Sequence, residues 1–201
     1  MLQQDYVTAD ETYHKVLLAK IKPTDKGSKK GYLWAVSAPK LGLVFFVYED
    51  GSRSEQVILN VFSDYKGTIQ SDAYAPYRKL ESDAYPDIMR IACLQHVKRD
   101  FIDCGKEDKD AQEVVDTPLD NNYIERIQRY ISLSRRNSMF FGSHEGASRA
   151  AILYSIAISC RLNGINLFEY ICDVIEKTAE WQPNTPLEKY RNLLPDRWKK
   201  Q

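Results

Sequence analysis

The pattern of hydrophobic and polar positions in the first half of the chain predicts five short strands. Apolar segments that are rich in aromatic and β-branched residues, and that end at glycine, proline or aspartate, are typical of strands. The predicted strands cover residues 5–12, 31–37, 43–48, 68–72 and 88–93. Residues 13–19 either continue the first strand or pair with it, and the basic segment 20–30, which contains Pro23 and Gly27, is predicted to be a loop.

Helical spacing of apolar residues predicts helices between and after these strands. One helix is expected at residues 52–62, where Ser52 and Glu55 form a capping box, and a brief one at residues 74–80. After the fifth strand the pattern predicts only helices, at residues 94–102, 117–130, 147–162 and 166–178. Three segments are expected to lack regular structure: the charged connector 104–116, the polar and basic segment 132–145, and the proline-containing tail 181–201.

This order of elements predicts an α/β fold with a mixed five-stranded sheet and flanking helices. Three consecutive strands can form an antiparallel meander, and the helix after the third strand allows a crossover that makes the fourth strand parallel to the first. An RNase H-like arrangement satisfies this order. We expect an RNase H-like core at residues 1–131 and a C-terminal helical extension at residues 132–201.

Composition and charge narrow the classes of function. The chain contains 28 Lys and Arg and 28 Asp and Glu, so its net charge is zero and any nucleic-acid binding must depend on a local patch. Four cysteines without a Cys-x-x-Cys pair indicate reduced thiols in a cytoplasmic protein. The N-terminal segment lacks the features of a signal peptide, and no apolar segment approaches the length of a membrane span.

Three acidic residues are candidates for a shared site. In an RNase H-like sheet the first and fourth strands are neighbours, so Asp10 and Asp72 lie side by side at the strand ends. A helix after the fifth strand can bring a third carboxylate over them, and Glu125 lies on the first strong helix after the connector. By itself, Glu125 is more typical of a solvated ion pair with Arg129, four residues later, and only the other acids favour a site.

Three convergent carboxylates predict a particular chemistry. Uncompensated carboxylates repel one another unless a cation is bound among them. Hard oxygen ligands select Mg²⁺ or Mn²⁺ over softer metals. Two such ions, about 3.5–4 Å apart, support in-line displacement at a phosphodiester.

Several short motifs occur in a fixed order along the chain. They lie at residues 10–12 (Asp-Glu-Thr), 70–74 (Gln-Ser-Asp-Ala-Tyr), 93–99 (Cys-Leu-Gln-His-Val-Lys-Arg), 119–126 (Leu-Asp-Asn-Asn-Tyr-Ile-Glu-Arg) and 193–198 (Leu-Leu-Pro-Asp-Arg-Trp). Together they resemble the catalytic core of the bacterial insertion-sequence transposases of family sixty-six. The resemblance covers nearly the whole chain, from residue 5 to residue 198.

The resemblance implies that Asp10, Asp72 and Glu125 form the Asp-Asp-Glu triad of a DNA transposase. Such an enzyme cleaves phosphodiesters and transfers DNA strands with Mg²⁺ or Mn²⁺, here two ions. Its expected partners are DNA, both element ends and target, and a second copy of the chain or a full-length transposase. No membrane partner is expected.

Further DNA contacts are implied by the same resemblance. Arg53 matches a family arginine that follows the third strand. His96 belongs to a Cys-x-x-His motif with Cys93, and it either contacts DNA or the active site or is a structural histidine. Residues 120–162 contain six arginines and three acids, which indicates either a phosphate-binding face or a solvated helix face. The candidate DNA-binding arginines in this segment are Arg126, Arg129, Arg135, Arg136 and Arg149.

The chain differs from the family pattern in two respects. Asp10 lies near the start, before which the family usually has DNA-recognition segments, and only residues 104–116 stand where a long helical insertion is typical. We therefore expect a shortened copy. One alternative is an inactive transposase remnant that acts at most as a DNA- or protein-binding module. Another is a hydrolase that uses paired carboxylates as acid and base.

Overall fold

Five strands and six helices form the part of the chain that the structure describes. This computed structural model covers residues 3–18, 27–72, 74–93 and 122–199. The strands are β1 (Tyr6–Leu17), β2 (Ser28–Ala38), β3 (Leu43–Val47), β4 (Gly67–Ser71) and β5 (Ile88–Ala92). The helices are α1 (Glu55–Val61), α2 (Ala75–Arg78), α3 (Asn122–Asn137), α4 (His144–Leu162), α5 (Leu167–Thr178) and α6 (Leu187–Asn192).

The strands form one mixed sheet in the order β3-β2-β1-β4-β5. β1, β2 and β3 pair antiparallel, whereas β1 pairs parallel with β4 and β4 pairs parallel with β5. α1 lies in the crossover between β3 and β4, which a change to parallel pairing requires. The predicted α/β fold, with its meander and its RNase H-like strand order, is confirmed.

The two faces of the sheet carry separate hydrophobic clusters. One cluster contains Trp34 and packs against α1 and α2, and the other contains Ala35 and packs against α3 and α4. In the β1–β2 pair Glu11 is opposite Trp34, and Asp10 is opposite Ala35. Directly paired residues of antiparallel strands share a face. Asp10 therefore lies on the face of α3 and α4, and Glu11 on the face of α1 and α2.

β3 is an edge strand, and α4 covers its open edge. The hydroxyl of Ser159 accepts the N–H of Val44 at 3.0 Å and donates to the Val44 carbonyl oxygen at 3.1 Å. One helical turn earlier, the hydroxyl of Ser155 accepts the N–H of Phe46 at 2.8 Å. The two serines thus satisfy the N–H and carbonyl groups of Val44 and the N–H of Phe46, so that these groups are not open to another strand.

Several bounds differ from those predicted. β1 continues through Leu17, which decides between the two alternatives for residues 13–19, and β2 begins at Ser28, inside the predicted loop 20–30. The predicted capping box is wrong, because the N-cap of α1 is Ser54 and its side chain makes no capping hydrogen bond. The hydroxyl of Ser52 instead accepts the backbone N–H of Ser54.

The C-terminal half contains more helix than predicted. α3 continues to Asn137 and α4 begins at His144, so both extend into the segment 132–145. Residues 181–201 are not simply extended, because they contain α6. The predicted cap at Asn166 is confirmed by its contacts with the N–H groups of Phe168 and Glu169. The predicted helix 94–102, the connector 104–116 and the start of the helix at 117–130 lie outside the described residues.

The predicted boundary between the core, residues 1–131, and the C-terminal extension, residues 132–201, lies inside α3. This division of the chain stays a prediction. Within the described ranges, no single helix is long and apolar enough to cross a membrane. α4 and α5 meet that test only together, by length and composition alone, as a pair bent by 118°.

The contact between α4 and β3 can be tested by a substitution that removes one hydroxyl. Ser159→Ala leaves the buried N–H and carbonyl groups of Val44 without this partner, so we expect the free energy of unfolding to fall by about 1–3 kcal/mol. Urea denaturation measures the change. The control is Ser82→Ala, because the hydroxyl of Ser82 donates only to Lys79 in an exposed turn. An equal loss in both variants would contradict this role of Ser159.

Candidate active site

The parallel pair β1–β4 brings two aspartates to the same place at the end of the sheet. Thr8 is opposite Gln70 in this pair, and two residues later come Asp10, still inside β1, and Asp72, the first residue after β4. One carboxylate oxygen from each of Asp10, Asp72 and Glu11 lies within 4.8 Å of the others. All three residues are half-buried. We call these three residues the carboxylate cluster.

Glu11 is the member of this cluster that sequence reasoning missed. Its side chain is only 3% exposed and forms an ion pair with Arg53, whose Nη2 lies 2.5 Å and whose Nε lies 3.1 Å from Glu11 Oε1. Neighbouring residues of a strand point to opposite faces, so the dipeptide Asp10-Glu11 does not by itself predict that both approach Asp72. The useful indication was the second acid directly after Asp10.

A buried tyrosine hydroxyl lies against the carboxylate cluster. Tyr77 is fully buried, and its pKa is raised well above the usual value by burial and then by the charges of Glu11, Asp10 and Asp72. Its hydroxyl lies beside Glu11 but makes no hydrogen bond of standard geometry within the described part of the chain, and neither does Glu11 Oε2. Two buried polar atoms near the cluster are thus left without a well-formed hydrogen bond.

The electrostatics of the cluster disfavour full ionisation in the absence of a cation. Burial raises the pKa of Asp10 to about 8, and the charges of Glu11, Asp72 and Glu125 act in the same direction. The backbone N–H of Glu11, which donates to Asp10 Oδ1 at 2.8 Å, opposes this shift. The pKa of Glu11 is also raised, by burial first, although Arg53 opposes that shift. A bound cation would favour the ionised carboxylates against both the burial and the mutual repulsion that raise these pKa values.

Hydrogen bonds fix the loop that carries Asp72. Asp72 Oδ1 accepts the backbone N–H of Tyr74 at 3.0 Å, a contact typical of a tight turn. The Asp72 carbonyl oxygen accepts a hydrogen bond from Arg90 Nη1 at 3.1 Å. Arg90 on β5 is itself held by Glu81, whose Oε1 lies 2.5 Å from Arg90 Nε. The edge strand β5 therefore helps to hold Asp72 in place.

Glu125 lies near the carboxylate cluster but is not part of it. Ile124, Ile127 and Ile131 anchor α3 on the sheet face that Asp10 shares, and all three are almost fully buried. Glu125 is half-buried beside them, and its charge contributes to the raised pKa of Asp10. It does not lie with Asp10 and Asp72 in a group whose oxygens are all within 4.8 Å.

Among the predicted DNA-binding residues that the structure describes, only Arg53 contacts the carboxylate cluster directly, through its ion pair with Glu11. Its guanidinium also lies over the rings of Tyr74, at 4.0 Å, and Tyr32, at 5.0 Å. Arg135 on α3 donates to the Tyr13 carbonyl oxygen at 3.0 Å and lies 4.6 Å from the Tyr13 ring centroid.

The other predicted DNA-binding residues have no contact with the cluster among the described residues. Arg126 and Arg129 are exposed on α3, and Arg149 pairs with Glu145 on α4. His96 and the side chain of Arg136 lie outside the described residues. The DNA-binding roles of all these residues stay predictions.

Comparison with known proteins identifies similar sequences. The family model described as "Transposase IS66 family" matches residues 1–117, more than half of the chain. Uncharacterized protein y4jD of Sinorhizobium fredii is 23% identical over 288 aligned positions, which cover 98% of this chain and 54% of y4jD. Uncharacterized protein y4hP of the same organism is 39% identical over 82 residues, 41% of this chain and 14% of y4hP.

The chain spans about half the length of y4jD and less of y4hP. The alignment with y4jD has 288 positions, more than the 201 residues of this chain, so y4jD has residues inside the matched region that this chain lacks. The expected shortening relative to the family stays a prediction.

The raised pKa of Asp10 predicts how stability depends on pH when no divalent cation is present. Because the folded-state pKa is about 8 and the unfolded value is 3.8, the folded chain binds more protons between these values. The free energy of unfolding in EDTA should therefore fall as pH rises from about 5 to about 8. Urea denaturation at several pH values measures this slope.

Asp10→Asn is the matched variant for this experiment. Asn keeps the oxygen that accepts the Glu11 N–H but cannot ionise, so we expect a smaller decrease in stability with pH. A slope equal to that of the unmodified chain would show that Asp10 does not titrate in this range.

Proposed function

The chain belongs to the IS66 family of transposases, and we propose that it catalyses metal-dependent cleavage and strand transfer of DNA at its carboxylate cluster. In the first step water hydrolyses one strand at an element end and releases a 3′-hydroxyl. In the second step that hydroxyl attacks a phosphodiester of target DNA, which forms one new phosphodiester and breaks another. DNA, as element end and as target, is the proposed substrate, with a second copy of the chain or a longer transposase as the proposed protein partner.

The observation that carries this proposal is the convergence of Asp10, Glu11 and Asp72 on one point. Three carboxylates with oxygens within 4.8 Å of one another repel, and a cation bound among them would compensate their charge. The buried hydroxyl of Tyr77 and Oε2 of Glu11, both without a standard hydrogen bond among the described residues, point to a missing polar ligand at the same place.

The residues present fit Mg²⁺ or Mn²⁺. The cluster offers only hard oxygen ligands, and neither histidine nor cysteine belongs to it. Asp10 and Asp72 would hold two ions, with Glu125 completing the coordination of one. Such ions, when bound, activate an attacking oxygen and stabilise a leaving oxygen.

The chain itself contributes positioning and charge balance. Asp10 and Asp72 are held by the β1–β4 pair and by the turn at Tyr74, so their carboxylates are fixed on a rigid sheet. Arg53 neutralises Glu11 and leaves part of its guanidinium exposed, where it can bind a phosphate oxygen. Glu125 is carried by a separate helix, α3, on the face of the sheet that Asp10 shares, and its charge already acts on Asp10.

A second candidate function is DNA or protein binding without catalysis. The observation that favours it is the position of Glu125, which lies outside the group formed by Asp10, Glu11 and Asp72. The two candidates differ in whether the chain nicks DNA.

Isothermal titration with Mn²⁺ tests the proposed metal site. We expect Asp72→Asn to weaken binding by more than about tenfold, because loss of even an outer-shell partner of a metal costs about 10–100-fold in affinity. The control is Asp87→Asn, since Asp87 is an exposed acid that pairs with Lys66. Indistinguishable weak binding in the unmodified chain and in Asp72→Asn would remove the basis of the metal assignment.

A nicking assay tests catalysis. With Mn²⁺, the chain should nick supercoiled plasmid that carries the DNA flanking its gene, and Glu125→Gln should reduce the rate by at least about 10²-fold, a loss typical of one catalytic electrostatic contact. Glu176→Gln, an exposed position on α5, is the control and should leave the rate unchanged. Mn²⁺ binding without nicking would favour the second candidate function.

A further inference from the structure

Cationic and aromatic side chains alternate along the β1–β2 pair, starting at the carboxylate cluster. In this pair Glu11 is opposite Trp34, Tyr13 is opposite Tyr32, and Lys15 is opposite Lys30. Directly paired residues share a face, and so do alternate residues of one strand. These side chains therefore form a row on one face of the sheet. We call Tyr13, Tyr32, Lys15 and Lys30 of this row, with the contacting residues Arg53, Arg135 and Phe140, the cation–aromatic strip.

Each cation of the strip lies over an aromatic ring. Lys30 Nζ is 4.9 Å from the centroid of the Tyr13 ring, and Lys15 Nζ is 5.8 Å from that of Phe140. Arg135 also lies over the Tyr13 ring, at 4.6 Å. At the end near the cluster, Arg53 lies over Tyr32 and Tyr74. The remaining pairs of this kind in the described ranges, Arg161–Tyr130 and Lys189–Trp181, lie in the C-terminal half of the chain.

Backbone contacts hold Phe140 beside the strip. Beyond its pairing with β4, the free edge of β1 binds the next residue, Phe141, whose N–H donates to the Lys15 carbonyl oxygen at 2.8 Å. The Phe141 carbonyl oxygen accepts the N–H of Leu17 at 2.8 Å. The ring of Phe141 is buried against His14, whereas Phe140 is 39% exposed.

The charges of the strip are not compensated within the described chain. Lys15, Lys30 and Arg135 form no ion pair with any described acid, and Arg53 shares its charge with Glu11. Like charges directly opposite each other on paired strands destabilise the sheet, as at Lys15 and Lys30. An exposed row of uncompensated cations is therefore suited to an anionic partner.

The aromatic rings restrict the type of anion. Tyr13 is 42% exposed and Phe140 39%, so each ring keeps surface that can contact a flat apolar group beside the cations that lie over it. Cations that bind phosphates, alternating with rings that stack on bases, form the usual surface for single-stranded nucleic acid. Bases within a duplex are already stacked on each other and do not offer their faces to such rings.

We propose that the cation–aromatic strip binds an unpaired segment of the DNA strand whose phosphate occupies the carboxylate cluster. From Glu11 to Lys15 the strip extends about 13 Å, which corresponds to about four nucleotides stacked at 3.4 Å. Arg53 joins the two sites, because it contacts both Glu11 and the rings of Tyr32 and Tyr74. The position of the strand rests on the proposed function, whereas single-strand binding by the strip does not.

Fluorescence anisotropy in EDTA, with a labelled mixed-sequence oligonucleotide, tests the strip without cleavage. Tyr13→Ala and Phe140→Ala should each weaken binding of the single strand by about 5–100-fold, the usual effect of removing one base-stacking ring. The double variant Lys15→Gln/Lys30→Gln should weaken it and reduce the salt dependence by about 0.7 for each phosphate that is no longer neutralised. The control is Lys189→Gln, which removes a cation–aromatic pair at Trp181 and should leave binding unchanged.

Two further measurements separate this proposal from others. The same oligonucleotide as a duplex should bind more weakly than the single strand and respond little to Tyr13→Ala, and polyglutamate should not displace the single strand at equal charge. Unchanged single-strand affinity in both aromatic variants, with folding verified by urea denaturation, would overturn the proposal, as would equal displacement by polyglutamate. Single-strand binding is measured in EDTA and nicking in Mn²⁺, so failure of catalysis and failure of the strip are distinguishable.

Discussion

The parallel pairing of β1 with β4 is the constraint on which the rest of this structure depends. It sets Asp10, inside β1, beside Asp72, directly after β4, and the pKa of Asp10 is raised to about 8 by burial first and then by the neighbouring acids. A sheet can hold such an arrangement because many backbone hydrogen bonds fix the strands, whereas a loop would let the carboxylates separate. The crossover through α1 makes this pairing available, since parallel neighbours cannot be joined by a tight turn.

The site draws on both layers of helices. Asp10 lies on the face of α3 and α4, where Glu125 is carried, and Glu11 lies on the face of α1 and α2, where Tyr77 is buried. Each helix layer thus brings one side chain near the two aspartates, Glu125 from one layer and Tyr77 from the other. Glu11 differs from the other acids because Arg53 already balances its charge, which suits a residue that positions the site more than one that is freely available to a cation.

The long β1–β2 pair links the site to a wider surface. β1 pairs with β4 only through Tyr6, Val7 and Thr8, so nine of its twelve residues lie beyond that pairing. One face of this longer part is buried under α3, with Val16 in the core. The opposite face carries the cation–aromatic strip. A neutral chain can in this way present a local basic surface, because its acids and bases are separated in space although they balance in number.

The sequence by itself determined the number and order of the strands. Strands are recognised from apolar residues in short segments and from the turn residues that bound them, and both are local features of the sequence. It also indicated Asp10 and Asp72 as neighbours, since the order of strands and crossover limits the topologies. The length of β1, the inclusion of Glu11 and the pairing of Arg53 were decided only by tertiary structure. These depend on which side chains meet across strands and between layers, and residues 11 and 53 are far apart in the chain, so that no local pattern records their contact.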